Sequence, residues 1–267
     1  MFVSFLSDFG LQDDFVGTCH GVIKLISPET EIIDITHGIP PQQVLQGALV
    51  LANTLAYVPP GVHLAVVDPG VGGRRRPLAL RDEEGRFFVG PDNGLLIPAA
   101  ERAGIDVAHE LANPEYALES ISRTFHGRDL FSPAAAHLSR GVAIEELGPP
   151  LAVDALVRLD LPQPELRPER IAATVLYVDA FGNIALNVTR QHAVEAGIVP
   201  GTQVELELGG ERYYAVAART FADARAGDIM LYEDSYRNMS VAISGGSAGE
   251  MLHARPGQSL RINVGRF

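Results

Sequence analysis

Three polar positions stand where short apolar runs end. Asp8 follows residues 2–6, Thr36-His37 follow residues 31–35, and Asp68 follows residues 62–67. In open parallel sheets, ligands collect just beyond the carboxyl ends of the strands, so these are the positions from which chemistry would be done. Asp8 is suited to accept hydrogen bonds from two vicinal hydroxyls, as a ribose offers, although aspartate also serves as a turn or capping residue. Asp68 lies in Val-Val-Asp-Pro-Gly-Val-Gly-Gly, followed by Arg74-Arg75-Arg76. That loop has neither the Lys-Ser/Thr of a phosphate-binding loop nor Gly-x-Gly-x-x-Gly spacing, and three successive arginines read first as a solvated run. His126 sits in Thr-Phe-His-Gly-Arg-Asp, just before a helix near Pro133. Taken singly, each of the three has an ordinary structural explanation.

Two other patterns compete. Gly245-Gly246-Ser247-Ala248-Gly249 matches the serine-hydrolase elbow, which requires an Asp or Glu and then a His further along. Only Glu250 and His253 follow, too close to Ser247 and to each other to be partners. A metal site from Asp8, Asp13, Asp14 and His126 is the second. The eight histidines show no tight ligand spacing, but a carboxylate-bound Mg²⁺ leaves fainter traces. A metallohydrolase therefore stays open.

The elements that must position these residues follow from periodicity. Residues 2–6, 31–35 and 62–67 read as strands, separated by helical patterns over 16–26 and 42–58. This β-α-β-α-β rhythm predicts a Rossmann-like, mainly parallel sheet with helices on both faces. A hairpin is expected from 77–80 and 87–89, and helices near 95–103 and 133–140. The Pro- and charge-rich stretch 161–170 reads as a linker. Beyond it, strand patterns at 171–178, 184–188, 203–208, 213–218, 228–232, 239–243 and 259–264, with little helix signal, predict a small all-β barrel. The expected domains are 1–163, α/β, and 164–267, β-barrel.

Composition narrows the partners. The chain has 267 residues, 46% hydrophobic, enough for two cores. A net charge of −12 disfavours nucleic acid, whose phosphates reward a basic face. The one cysteine, Cys19, excludes an internal disulfide. Without a signal-peptide pattern or an apolar run of about 20 residues, the expectation is a soluble cytoplasmic protein without membrane contact.

Taken together, the segments resemble one family along almost the whole chain. The blocks are SDFG at 7–10, DPGVGG with Arg75, GPDNGLL at 90–96, TFHGRD at 124–129, DAFGN at 179–183 and TFAD at 220–223. In this order and spacing they resemble the S-adenosylmethionine hydroxide adenosyltransferases, relatives of the fluorinating and chlorinating enzymes that use the same substrate. The resemblance implies hydrolysis of S-adenosylmethionine to adenosine and methionine without a cofactor or metal. It implies a homotrimer whose sites lie between one subunit's N-terminal domain and a neighbour's C-terminal domain. Asp68, Arg75 and His126 would handle the water and Asp8 the ribose. Asp179, Asn183 and Ser235 would hold the methionine portion, with Phe181 and Phe221 near the nucleoside. Two places depart from the family pattern: Tyr236-Arg237-Asn238 replaces a glycine-and-aromatic run, and Ser244 stands where asparagine is expected.

This assignment makes chemical sense. A sulfonium leaves as neutral methionine, so the reaction needs an aligned nucleophile and exclusion of bulk water rather than protonation of the leaving group. A carboxylate and an imidazole can draw a proton from water while a guanidinium stabilises developing hydroxide. In the halogenating relatives a tyrosine matches position 68. A carboxylate there repels halide: at an effective dielectric of about 20, like charges roughly 4 Å apart cost about 4 kcal/mol. Water is thus the expected nucleophile. The alternatives are a metal-dependent nucleotide or phosphoester hydrolase and a non-catalytic adenosine-binding sensor.

Overall fold

The computed structural model describes residues 1–265 and separates into two units, Met1–Leu159 and a second from Asp160 onward. The first unit runs β1 (Val3–Ser7), α1 (Phe15–Ile26), β2 (Ile32–Thr36), α2 (Val44–Thr54), β3 (Val62–Val66), β4 (Pro77–Asp82), β5 (Phe87–Pro91), α3 (Ile97–Ala100), β6 (Ile105–Glu110), α4 (Ser132–Ser139) and β7 (Pro150–Leu151). Its sheet has the order β2-β1-β3-β5-β4-β6-β7. The first four of these strands are parallel, and β4, β6 and β7 continue it antiparallel.

Alternate side chains of one strand serve both faces. Val3 and Phe5 of β1 join a cluster with α1 and α4, whereas Leu6 joins α2 and α3 on the other side. Helices therefore cover both faces. The polar residues of β1 are buried and paired: Ser4 Oγ bonds His63 Nδ1 and Ser7 Oγ bonds His37 Nδ1, each at 2.8 Å. These bonds pin the central strand to β3 and to the end of β2, because a buried hydroxyl or imidazole left unpaired is costly.

The second unit holds β8 (Glu165–Arg167), β9 (Arg170–Val178), β10 (Ile184–Thr189), α5 (Arg190–Glu195), β11 (Gln203–Leu208), β12 (Glu211–Ala217), β13 (Ile229–Glu233), β14 (Asn238–Ile243), α6 (Ala248–Met251) and β15 (Ser259–Val264). Seven strands close in the order β10-β14-β13-β12-β11-β15-β9, with β9 returning to β10 and β8 lying beside β9. Closure removes free sheet edges, and the aliphatic core sits inside. The stretch read as a linker is partly structured, since β8 lies within it and pairs with the start of β9. Ser247 has an ordinary role: it caps α6, its Oγ accepting the Glu250 N–H at 3.1 Å.

Candidate active site

Asp68 lies just past β3, in a loop whose shape depends on Gly72. That residue has φ +71°, and a Cβ there would sit 2.2 Å from the Arg123 carbonyl oxygen. Only glycine lets the two backbones approach so closely. The contact presses the loop carrying Asp68 and Arg75 against the segment carrying His126. His126 in turn precedes a π-helical turn, Gly127–Phe131, which runs directly into α4.

The three successive arginines diverge. Arg74 is exposed, while Arg76 pairs with buried Asp92, Nε to Oδ2 at 2.8 Å. Arg75 turns inward. Its Nε donates to both oxygens of Asp68, at 3.0 and 2.9 Å, and its Nη2 also bonds Oδ2. The same Nη2 donates to His126 Nδ1 at 2.7 Å. The Asp68 and Arg75 side chains are 6% and 8% exposed, so their interaction is little screened by solvent. The guanidinium carbon lies 5.1 Å from the Phe131 ring centre, and Nη1 is buried without a hydrogen-bond partner.

Guanidinium has no acceptor atom, so His126 Nδ1 must accept, which leaves the ring proton of the neutral imidazole on Nε2. Burial, reinforced by the Arg75 charge, pushes the His126 pKa below its ordinary value, although Asp68 and Asp129 oppose the shift. His126 is thus held neutral at physiological pH.

Asp8 shares a cleft of about 320 Å³ with Asp68 and His126, walled by Phe9 and Phe125. Burial raises the Asp8 pKa, opposed by the Gln42 N–H, which bonds Oδ2 at 2.9 Å. Gln42 adopts φ +66°, an uncommon backbone for a non-glycine residue and one often found at functional sites. Nothing in the local sequence marked it. The aromatic wall was also missed: Phe125 meets Phe9 and Phe15 edge to face, with centroids 5.7 and 5.1 Å away. Asp13 and Asp14 stay outside this cleft, exposed on the loop before α1, where Asp14 accepts the Thr18 hydroxyl at 3.1 Å.

The remaining candidates belong to turns of the barrel. Asp179 Oδ1 accepts the N–H groups of Phe181 and Asn183 at 2.9 and 2.8 Å, and Oδ2 accepts Asn183 Nδ2 at 2.8 Å. Phe181 projects outward, 83% exposed. Ser235 is exposed in the β13–β14 turn, which Asp234 organises by accepting the Tyr236 and Asn238 amides and the Ser240 hydroxyl. Phe221 packs on Tyr232 with centroids 5.0 Å apart. Tyr232 is raised to about 12, first by burial and then by the charges of Asp179 and Asp234, so both turns lie within electrostatic reach of one ring. Asp234 was not singled out from the sequence, although its Asp-Ser turn chemistry was visible there.

The sequence matches the SAM hydroxide adenosyltransferase N-terminal domain over residues 3–148 and the C-terminal domain over residues 173–261. The chain belongs to the SAM hydroxide adenosyltransferase family. Members and relatives agree with this over nearly full length. A protein of Salinispora arenicola named (R)-S-adenosyl-L-methionine hydrolase is 43% identical, covering 98% of both chains. A fluorinase of Nocardia brasiliensis is 29% identical over 98% of this chain and 97% of that protein. Among solved structures, an uncharacterised conserved protein from Thermotoga maritima superposes with a TM-score of 0.90 at 34% identity, covering 98% of this chain and all of that one. Among the described residues no helix is long and apolar enough to cross a membrane.

Proposed function

We propose that this member of the SAM hydroxide adenosyltransferase family hydrolyses S-adenosylmethionine, forming a bond from water oxygen to the ribose 5′-carbon as the carbon–sulfur bond breaks. The products are adenosine, methionine and one proton. The observation that carries this reading is the Asp68–Arg75–His126 cluster with an unspent, buried Arg75 Nη1 N–H beside it.

The cluster suggests a division of labour. Because His126 Nδ1 accepts from Arg75, its lone pair is not free to take a proton. Asp68 keeps unused lone pairs and is the group to receive the water proton. Arg75 offers positive charge to developing hydroxide, and the neutral His126 orients the nucleophile through Nε2–H. Asp8 receives the ribose hydroxyls. The Asp179–Asn183 turn and Ser235 hold the methionine portion, and Phe181 and Phe221 flank the nucleoside.

The carboxylate at position 68 favours water over halide, since it repels an incoming anion. A sulfonium leaving group makes metal assistance unnecessary, so we expect the reaction itself to need no cofactor. We place the protein in the cytoplasm, and the family resemblance supports a homotrimer in which the barrel of one subunit completes the cleft of its neighbour.

Chromatography of products from S-adenosylmethionine, with EDTA and with or without chloride, tests the reading. Adenosine and methionine are expected under every condition. A halogenated nucleoside would overturn the choice of water, and complete loss of turnover in EDTA, restored by Mg²⁺, would favour the metallohydrolase.

A further inference from the structure

Outside the cleft, one group of side chains has the geometry of a metal site. His20 Nε2 of α1 lies 2.9 Å from Asp34 Oδ1 of β2, and His37 Nε2, just past β2, lies 3.1 Å from the same oxygen. All three atoms fall within 4.8 Å of one another. Ligands about 2.0 Å from a zinc ion stand about 3.3 Å apart at the corners of a tetrahedron, so the observed separations need little adjustment.

The second observation is the state of His37. Its side chain is 3% exposed, and Nε2 is buried without a hydrogen-bond partner despite its approach to Asp34. The opposite nitrogen is already engaged, Nδ1 meeting Ser7 Oγ at 2.8 Å. Phe5 packs edge-on to the ring with centroids 4.7 Å apart. An imidazole fixed through Nδ1, backed by an aromatic wall and aiming a bare Nε2 at a carboxylate and a second imidazole, has the supporting shell of a metal-binding histidine.

His63 provides an internal contrast. It uses the same serine device, Ser4 Oγ to Nδ1 at 2.8 Å, and its Nε2 is likewise buried and unpartnered. Its neighbours, however, are the rings of Phe2 and Phe88. No carboxylate or second imidazole joins it in a metal-ligating group among the described residues.

We propose that His20, Asp34 and His37 form a binding site for a divalent transition ion of the zinc type, with water completing its coordination. Two imidazoles and one carboxylate suit a borderline ion better than Mg²⁺ or Ca²⁺, which prefer oxygen ligands throughout. Partial exposure of His20 and Asp34, 30% and 42%, gives the ion a way in. The site ties α1 to β2. It also reaches the Asp8 turn, because Ser7 Oγ accepts the Phe9 N–H at 3.2 Å and the His37 carbonyl accepts the Gly10 N–H at 2.8 Å. Its role is to brace that turn, apart from the bond-breaking step.

The test is calorimetric titration of chelator-treated, full-length protein with Zn²⁺, together with the visible spectrum of the Co²⁺ form. Expected are one Zn²⁺ per chain, a melting temperature raised by several degrees at saturation, and ligand-field bands distinct from those of aqueous Co²⁺. His20→Ala and Asp34→Asn, at partly exposed positions, should each weaken Zn²⁺ by about 100-fold or more. Ser7→Ala, which removes only the supporting bond, should weaken it about 10- to 100-fold. Absence of Zn²⁺ binding by the unaltered protein, an aqueous-like Co²⁺ spectrum, or undiminished binding in both ligand variants would each overturn the proposal. None of these readouts depends on turnover, so their failure leaves the hydrolytic reading standing.

Discussion

The two units hold their candidate residues in opposite ways. In the α/β unit, the bonds that fix the site join residues far apart in sequence: Arg75 to His126, Gln42 to Asp8, Ser7 to His37. Asp68 and Arg75 are almost enclosed. In the barrel, Asp179 and Asp234 each fold a turn back on itself through partners two to six residues away, and Phe181, Phe221 and Ser235 remain exposed. Long-range, buried constraint suits bond-breaking, which tolerates little positional error. Local turns give rigid but modular contacts, suited to recognising part of a substrate.

The contrast can be broken experimentally, starting where the effect is greatest. Asp68→Asn keeps the shape but removes the charge, and should lower kcat by about 1,000-fold with little change in KM. Single-turnover measurement of adenosine release checks this, and an equally large rise in KM with kcat unchanged would give Asp68 a binding role.

Acid should next separate the units. Burial, aided by the Arg86 charge, lowers His63 from 6.5 to about 4. Below pH 6.5 the unfolded chain binds this proton and the folded one does not, so the stability contributed by neutral His63 is present above 6.5. It drains away as pH falls toward 4, by about 3 kcal/mol in total. His126 and His137, whose pKa values burial likewise lowers, lie in the same unit. Thermal melts across this range should show the α/β unit weakening before the barrel, and His63→Phe should blunt the difference.

Smaller effects belong to the barrel. Asp179→Ala removes the acceptor for three hydrogen bonds and should raise KM about 10-fold while kcat holds. Phe221→Ala, losing a partly exposed ring, should raise KM only about threefold. Steady-state kinetics separates both from the Asp68 variant, and a dominant kcat loss in either would erase the distinction between the units.

What the sequence disclosed follows the same division. Largely apolar runs such as β1 and β3 and the regular alternation of β11 were legible, because burial on one or both faces writes itself into residue type. β6 was missed since Asp106 and His109 interrupt its apolar pattern. α5 escaped notice because its capping partner is His192 rather than the acidic residue that usually signals a helix start. Within the site, Asp68 and His126 stood out by position, yet nothing local distinguished Arg75 from its two neighbours. That choice is made in three dimensions, where Gly72 admits the Arg123 carbonyl and only the middle arginine meets Asp68 and His126. Gln42 contributes a backbone N–H, a group every residue but proline has, and so left no trace in residue type.

The π-helical turn between His126 and α4 ties the Asp68–Arg75–His126 cluster to its scaffold. Such a turn holds an extra residue within an otherwise α-helical path. Within it Asp129 is fully buried and accepts the Ser122 N–H at 2.7 Å, while the Phe131 ring lies beneath the Arg75 guanidinium. One widened coil of helix thus anchors the chain upstream of the imidazole and also backs the cation that meets it.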